Sequence, residues 1–312
     1  MTLKVIVSEF MAEGAVADLQ AKFQLQYDPT LVQDRARLLA SLAEADALIV
    51  RNRTQVDAEL LAQAPKLRVV GRLGVGLDNI DVPACEARAI RVIPATGANA
   101  LAVAEYVIGC TLMLLRGAYL ARAEMDAGDW PRNRLGEGRE SAGKTLGLVG
   151  FGGIGQLTAR LAQGLGLRVL AHDPLLGADA AVWRDLGVTP CTLEDLLAQS
   201  DAVSLHVPLH EGTRRLIAAA RLARMKPGAV LINTSRGGIV DEAALAASLR
   251  AGHLGGAALD VFEQEPLPAG SVLAGVPNLI LTPHIAGVTL ESNERVSSLI
   301  AERVAQALMN NR

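Results

Sequence analysis

The chain has 312 residues, half of them hydrophobic and a fifth charged, with 30 basic against 33 acidic side chains and a formal net charge of -3. That length carries two ordinary domains, and that hydrophobic content argues against disorder. The near-neutral balance, with basic residues scattered along the chain, argues against a nucleic-acid or membrane-surface partner.

Strand patterns at 3–7, 47–50, 67–70 and 91–93 alternate with helical patterns at 12–22, 33–43, 57–64 and 82–89. Strands separated by helices imply a parallel sheet covered on both faces. Gly71, Gly74 and Gly76 follow one strand, but no sustained apolar helix leaves them, so they are not read as a dinucleotide site. Residues 99–121 are apolar almost all round, which predicts a helix long enough to run between domains. Residues 128–143, with Trp130, Pro131, arginines and glycines, have no periodicity and read as an exposed arm.

Further strands are predicted at 146–149, 168–171, 202–207, 230–233, 256–259 and 279–281, and a last helix at 289–309 has the length to cross back. The expected fold is therefore α/β, with two doubly wound parallel sheets. Residues 1–98 and 288–312 form one domain, and 99–287 form a second inserted within it.

Cys85, Cys110 and Cys191 lie far apart without a Cys-x-x-Cys or Cys/His spacing, so neither a disulfide framework nor a metal site is expected. The N-terminus runs straight into a strand pattern with no export signal, and the longest apolar run, 106–115, is too short for a bilayer. Buried thiols in a reducing cytoplasm are the expectation.

The most informative stretch is Gly-Phe-Gly-Gly-Ile-Gly at 150–155, between the strand at 146–149 and a helical pattern at 154–165. Gly150 suits a tight turn, Gly152 lets the backbone approach a pyrophosphate, and Gly155 lets helix and strand pack closely. The helix N-terminus offers free N–H groups and positive dipole to phosphates. Asp173 ends the next strand, eighteen residues beyond Gly155. Its carboxylate would accept from a ribose 2′-OH and repel a 2′-phosphate, which predicts NAD rather than NADP.

Ligands of open parallel sheets bind beyond the carboxyl ends of the strands, where Arg236, Glu265 and His284 follow successive predicted strands. Imidazole is matched to proton transfer near neutral pH, a neighbouring carboxylate orients it, and a guanidinium clamps a carboxylate bidentately. His206 ends another strand and reads equally as a nucleotide contact or a structural histidine.

Gly-Phe-Gly-Gly-Ile-Gly, Asn-Thr-Ser-Arg-Gly-Gly-Ile-Val-Asp-Glu, Ala-Leu-Asp-Val-Phe-Glu-Gln-Glu-Pro and Thr-Pro-His-Ile-Ala-Gly occur in the order and spacing of the D-isomer-specific 2-hydroxyacid dehydrogenases, which this chain resembles along essentially its whole length. That family includes phosphoglycerate dehydrogenases and hydroxypyruvate and glyoxylate reductases. The resemblance implies a Rossmann NAD domain inserted in a flavodoxin-like substrate domain, and a homodimer.

It also implies that Arg236 binds and polarises the substrate while Glu265 pairs with His284, the acid/base. Asp260 would meet the nicotinamide carboxamide. Gly150, Gly152, Gly153, Ile154, Gly155, Asp173, Pro174, Val207, Pro208, Thr213, Thr234, Ser235 and Gly287 would line the nucleotide. The amides of Val75 and Gly76 would take the substrate carboxylate, with Arg51 and Asn52 facing its C3 substituent.

Two departures narrow the choice. Glu265 stands where the related formate dehydrogenases carry glutamine, and the chain ends without the C-terminal regulatory domain of many phosphoglycerate dehydrogenases. Arg51, Arg53 and Arg72 place cations near the expected substrate position, similar to a sulfolactate dehydrogenase branch, and hint at a second anionic group. An NAD(H)-sensing interaction protein on the same scaffold, like the C-terminal binding protein corepressors, is the alternative reading.

Overall fold

The computed structural model describes residues 2–310. Two compact units emerge, one running to Asn99 and resuming at Val288, the other spanning Ala100–Gly287. The first break falls one residue beyond position 98.

The first unit contains β1 (Lys4–Val7), α1 (Glu13–Gln20), β2 (Gln24–Tyr27), α2 (Arg35–Ser41), β3 (Ala47–Val50), α3 (Ala58–Ala62), β4 (Val69–Arg72), α4 (Val82–Ala87) and β5 (Arg91–Pro94). The strands pair in parallel in the order β2-β1-β3-β4-β5, the flavodoxin-like arrangement. Asp34, Asp57 and Asp81 start α2, α3 and α4, each accepting from the N–H three residues on. β2 was not anticipated: its Gln-Leu-Gln-Tyr lies at the sheet edge and is nowhere fully buried, so it lacks the apolar run that marked its neighbours.

The second unit opens with α5 (Ala100–Arg116), α6 (Arg122–Asp126) and α7 (Arg132–Leu135). The predicted helix to 121 ends early because Gly117 takes a φ of 67°, the left-handed conformation that terminates helices. The exposed arm expected at 128–143 contains the one-turn helix α7, which has no buried residue.

There follow β6 (Thr145–Val149), α8 (Gly153–Gly164), β7 (Arg168–His172), α9 (Ala181–Asp185), β8 (Thr189–Pro190), α10 (Leu193–Gln199), β9 (Ala202–Leu205), α11 (Ala219–Leu222), β10 (Val230–Asn233), α12 (Glu242–Arg250), β11 (Gly256–Leu259) and β12 (Leu279–Leu281). The parallel sheet has the order β12-β11-β10-β9-β6-β7-β8, so strand order reverses between β6 and β9. That is the Rossmann switch point, with one strand beyond the usual six.

Both faces of this sheet are covered. Val203, Leu205, Leu231 and Leu259 pack with Leu196, Leu222, Leu245 and Leu249 on one side. Leu146, Leu148, Ile232 and Ala258 pack with Val107 and Leu114 of α5 and Ala159 and Ala162 of α8 on the other.

The last helix, α13 (Leu290–Asn310), belongs to the first unit. Val296, Ile300, Val304 and Leu308 form its buried row at fourfold spacing. A Cβ on Gly71 of β4 would stand 2.7 Å from Val304 Cγ2 and 2.9 Å from Ile300 Cγ2, so this glycine serves helix packing. No helix among the described residues is long and apolar enough to cross a membrane.

Candidate active site

The glycine turn lies where β6 gives way to α8, at the switch point of the second sheet. Gly150 takes a φ of 95°, and a Cβ there would meet the His206 carbonyl oxygen at 2.6 Å. A Cβ on Gly155 would stand 2.6 Å from the Gly150 carbonyl oxygen, whereas Cβ atoms on Gly152 and Gly153 would meet nothing within 4 Å. Turn, close packing and open approach thus divide among the glycines as a pyrophosphate site requires, and Gly153 and Ile154 open α8, where first-turn N–H groups have no partner within the helix.

Asp173 follows β7 and is half-buried. Its Oδ2 accepts from Phe151 N at 2.8 Å and its Oδ1 from Leu175 N at 2.9 Å, so the carboxylate is tied to the glycine turn itself. Spare lone pairs remain on both oxygens for ribose hydroxyls. Pro174 beside it is exposed. These residues fit a bound NAD.

The three groups expected to carry chemistry follow β10, β11 and β12. His284 Nδ1 and Glu265 Oε2 are 2.7 Å apart, and Glu265 Oε1 accepts from Phe262 N at 3.1 Å. The pair is about one-third exposed, with side-chain values of 39% and 35%, which leaves the imidazole reachable. His284 takes a φ of 57°, a left-handed conformation costing a non-glycine residue about 1–3 kcal/mol and concentrated at functional sites.

Arg236 is half-buried and donates from Nη1 to its neighbour's carbonyl, Ser235 O, at 2.6 Å. Asn233, 1% exposed, shapes this turn by accepting from Ser235 N and donating to Arg236 O. The Arg236 and Glu265 loops touch through backbone: a Cβ on Gly237 would run into the carbonyl oxygen of Phe262.

Other nucleotide-side expectations divide. Val207 is half-buried and Pro208 exposed just past β9, and Thr234 has a buried Oγ1 with no hydrogen-bond partner among the described residues. Ser235 Oγ donates to Leu205 O at 2.6 Å. Gly287 closes the unit.

Two further side chains expected on the nucleotide side also have partners within the protein. Thr213 Oγ1 donates to Pro208 O and accepts from His210 N, so it closes the 208–213 turn. Asp260, 1% exposed, accepts from Thr282 Oγ1, Ile285 N and Ala286 N, so its carboxylate first holds the His284 loop and keeps one lone pair in hand. His206 Nε2 is buried without a partner among the described residues, and burial drives the imidazole pKa down to about 4.

In the first unit, Arg51 follows β3 and Arg72 ends β4, in register with Val50. Glu9, 5% exposed, takes the amides of Arg51 and Thr54 on Oε1 and that of Arg53 on Oε2, clamping the loop after β3. Asn79 adds a bond to Thr54 O at 2.7 Å.

The Arg51 guanidinium donates to Asn293 Oδ1 at 2.7 Å and lies 5.9 Å over the Phe10 ring, and burial lowers its pKa against the opposing pull of Glu9. Asn52, Arg53 and Val75 are exposed, and Gly76 is half-buried. The Arg72 guanidinium lies against Gly74, where any Cβ would collide with it. No local sequence signal marks Glu9, Asn79 or Asn293, because each works through a partner 25 to 242 positions away in sequence. No cluster of potential metal ligands occurs among the described residues.

Comparison with known proteins sharpens the assignment. A family model described as "D-isomer specific 2-hydroxyacid dehydrogenase, NAD binding domain" matches residues 108–286. The chain is 62% identical over 304 residues to (S)-sulfolactate dehydrogenase of Chromohalobacter salexigens, covering 97% of this chain and 98% of that one. It is 41% identical over 304 residues to D-3-phosphoglycerate dehydrogenase of Mycobacterium leprae, covering 97% of this chain and 56% of that protein, about half its length. Among solved structures, a glyoxylate reductase from Paecilomyes thermophila superposes with a TM-score of 0.85 at 28% identity, covering 100% of this chain and 97% of that one.

NAD is the cofactor, and the reaction is hydride transfer between a small 2-keto acid and its 2-hydroxy acid, which sets aside the sensing alternative. The chain belongs to the D-isomer-specific 2-hydroxyacid dehydrogenase family.

Proposed function

We propose that His284 is the acid/base of this oxidoreductase, that Glu265 orients it, and that the preferred substrate is a 2-keto acid bearing a second anion at C3, a sulfonate above all. The observation that carries the first part is the 2.7 Å contact between His284 Nδ1 and Glu265 Oε2, which leaves Nε2 to face the substrate. NAD, when bound, supplies or accepts the hydride.

The carboxylate neighbour stabilises the imidazolium needed to protonate a nascent alkoxide. Arg236 clamps the substrate carboxylate and polarises the adjacent carbonyl. Within the first unit, the amides of Val75 and Gly76 are offered to a carboxylate. Arg51, held by Asn293 and with its loop clamped by Glu9, meets the C3 anion with Asn52. The sulfolactate dehydrogenase of Chromohalobacter salexigens, 62% identical, supports the sulfonate.

The nucleotide is held by the glycine turn, Asp173 and the strand ends at Val207, Pro208, Thr234 and Gly287. Division of labour follows the two units, with 1–99 and 288–312 for substrate and 100–287 for NAD. We place the enzyme in the cytoplasm, where its free cysteines stay reduced, and as a homodimer through the apolar 101–115 face, with exposed Trp130 as an anchor.

The test follows NADH oxidation with sulfopyruvate, phosphohydroxypyruvate, hydroxypyruvate, pyruvate and glyoxylate. At least a tenfold kcat/KM preference for the doubly anionic acids, about 1.4 kcal/mol of transition-state discrimination, is expected. Preference for glyoxylate would remove Arg51 from substrate recognition, and turnover surviving in His284→Ala would remove the acid/base assignment.

A further inference from the structure

One residue, Asp260, takes a run of amides from the loop that carries His284. Asp260 accepts three consecutive amides: His284 N at 2.8 Å on its carbonyl oxygen, Ile285 N at 2.8 Å on Oδ1, and Ala286 N at 2.8 Å on Oδ2. This grip keeps His284 in its left-handed conformation, since straightening the backbone would pull those amides off their acceptors. Asp260 is itself fixed. Thr282 Oγ1 donates to its Oδ1 at 2.6 Å, and the Tyr106 hydroxyl lies 2.6 Å from the same Thr282 oxygen.

The direction of the last bond follows from proton counting. A threonine hydroxyl has one proton. Thr282 gives it to Asp260, so the oxygen accepts from Tyr106, whose phenol is the donor of that bond. Tyr106 stands in α5, a helix otherwise lined with Val103, Val107, Cys110 and Leu114. Burial raises its pKa and holds the phenol protonated. Burial likewise pushes the thiol of Cys110, one turn on, up to about 11, so no competing charge forms beside the hydroxyl.

We propose that Tyr106 is a positioning residue: its hydroxyl, acting through Thr282 and Asp260, sets the loop that aims His284. Every link lies within the second unit. The inference rests on the reading of His284 as the acid/base. Without the phenol, Thr282 Oγ1 regains rotational freedom and the bond to Asp260 Oδ1 loses its fixed direction. The loop then relaxes, while the aromatic ring still fills its place in the core.

The experiment compares wild type, Tyr106→Phe, Thr282→Val, the double variant and His284→Ala, with whichever of sulfopyruvate and hydroxypyruvate the wild type reduces faster. Steady-state kinetics are read beside calorimetric titration with NADH. Misaiming a proton donor predicts that kcat falls about ten- to a hundredfold in Tyr106→Phe, with keto-acid KM and NADH Kd within about twofold of wild type. The double variant should lose no more than Thr282→Val alone, because both act through one chain.

A kcat unchanged in Tyr106→Phe while His284→Ala is inactive would overturn the proposal and leave the acid/base reading standing. Weakened NADH binding with kcat intact would also overturn it, since the chain would then serve the cofactor. Losses that multiply in the double variant would do the same. Turnover surviving in His284→Ala would instead sink the underlying reading.

Discussion

Arg51 donates to the Oδ1 of Asn293 at 2.7 Å, which ties the loop after β3 to the first turn of α13. A guanidinium stacked over Phe10 and held at one edge keeps its remaining N–H groups in a fixed fork. Arg51→Ala is therefore expected to raise KM for sulfopyruvate at least tenfold and leave glyoxylate kinetics within about twofold. Asn293→Ala, which frees the fork without removing it, should give a smaller rise in the same direction. Equal losses on both substrates would show that Arg51 maintains the fold and recognises nothing.

The Arg236 and Glu265 loops are separated by no more than a glycine's hydrogen. Gly237→Ala cannot be accommodated by a side-chain shift, because the colliding atoms are the Phe262 carbonyl and the Glu263 amide. Both loops must move. Expected is a fall of about a hundredfold or more in kcat/KM with each keto acid, accompanied by a lower Tm. An active Gly237→Ala enzyme would show that the two loops work independently.

Gly152 and Asp173 separate two parts of nucleotide recognition. A valine at 152 fills space in which a Cβ now meets nothing, so Gly152→Val should raise the Kd for NADH at least tenfold with little change in Tm. Asp173→Ala removes the repulsion of a 2′-phosphate and the anchor of the Phe151 amide, so NADH binding should weaken and NADPH binding improve. Unchanged discrimination between the two cofactors would count against Asp173 as the ribose ligand.

His206 makes a pH prediction. Its folded pKa of about 4 lies below the ordinary 6.5, so the unfolded chain takes up the proton first as pH falls. Stability is fully present above about pH 6.5 and declines toward pH 4, by up to about 3 kcal/mol for the whole shift. In His206→Gln, which does not titrate, the fall in Tm across that window should be shallower than in wild type. Parallel curves would show that the imidazole is solvated.

Much of this molecule could be read from local pattern. β10, β11 and β12 stand at the predicted residues, and the glycine turn occupies the switch point of the sheet. Those signals are carried by neighbours in sequence, where an apolar run or a glycine spacing is visible directly. β2 and β8 escaped notice because one is a polar edge strand and the other only two residues long. Glu9 reads as a surface acid until Arg51, Arg53 and Thr54 fold back onto it. Tyr106 looks like core lining because Thr282, its partner, lies 176 positions away.

The placement of α13 bears on how the chain assembles as it is made. Ile300 and Val304 complete the face of β4 around Gly71, yet the ribosome reaches them only after the entire inserted unit has been synthesised. The second unit is continuous and can fold while the chain grows, since domains fold as units during synthesis. The first five strands must wait with that face covered only in part, by Ala15 and Leu19 of α1. Throughout that interval Val5, Val7, Ile49 and Val69 lack the α13 row that packs with them in the finished protein.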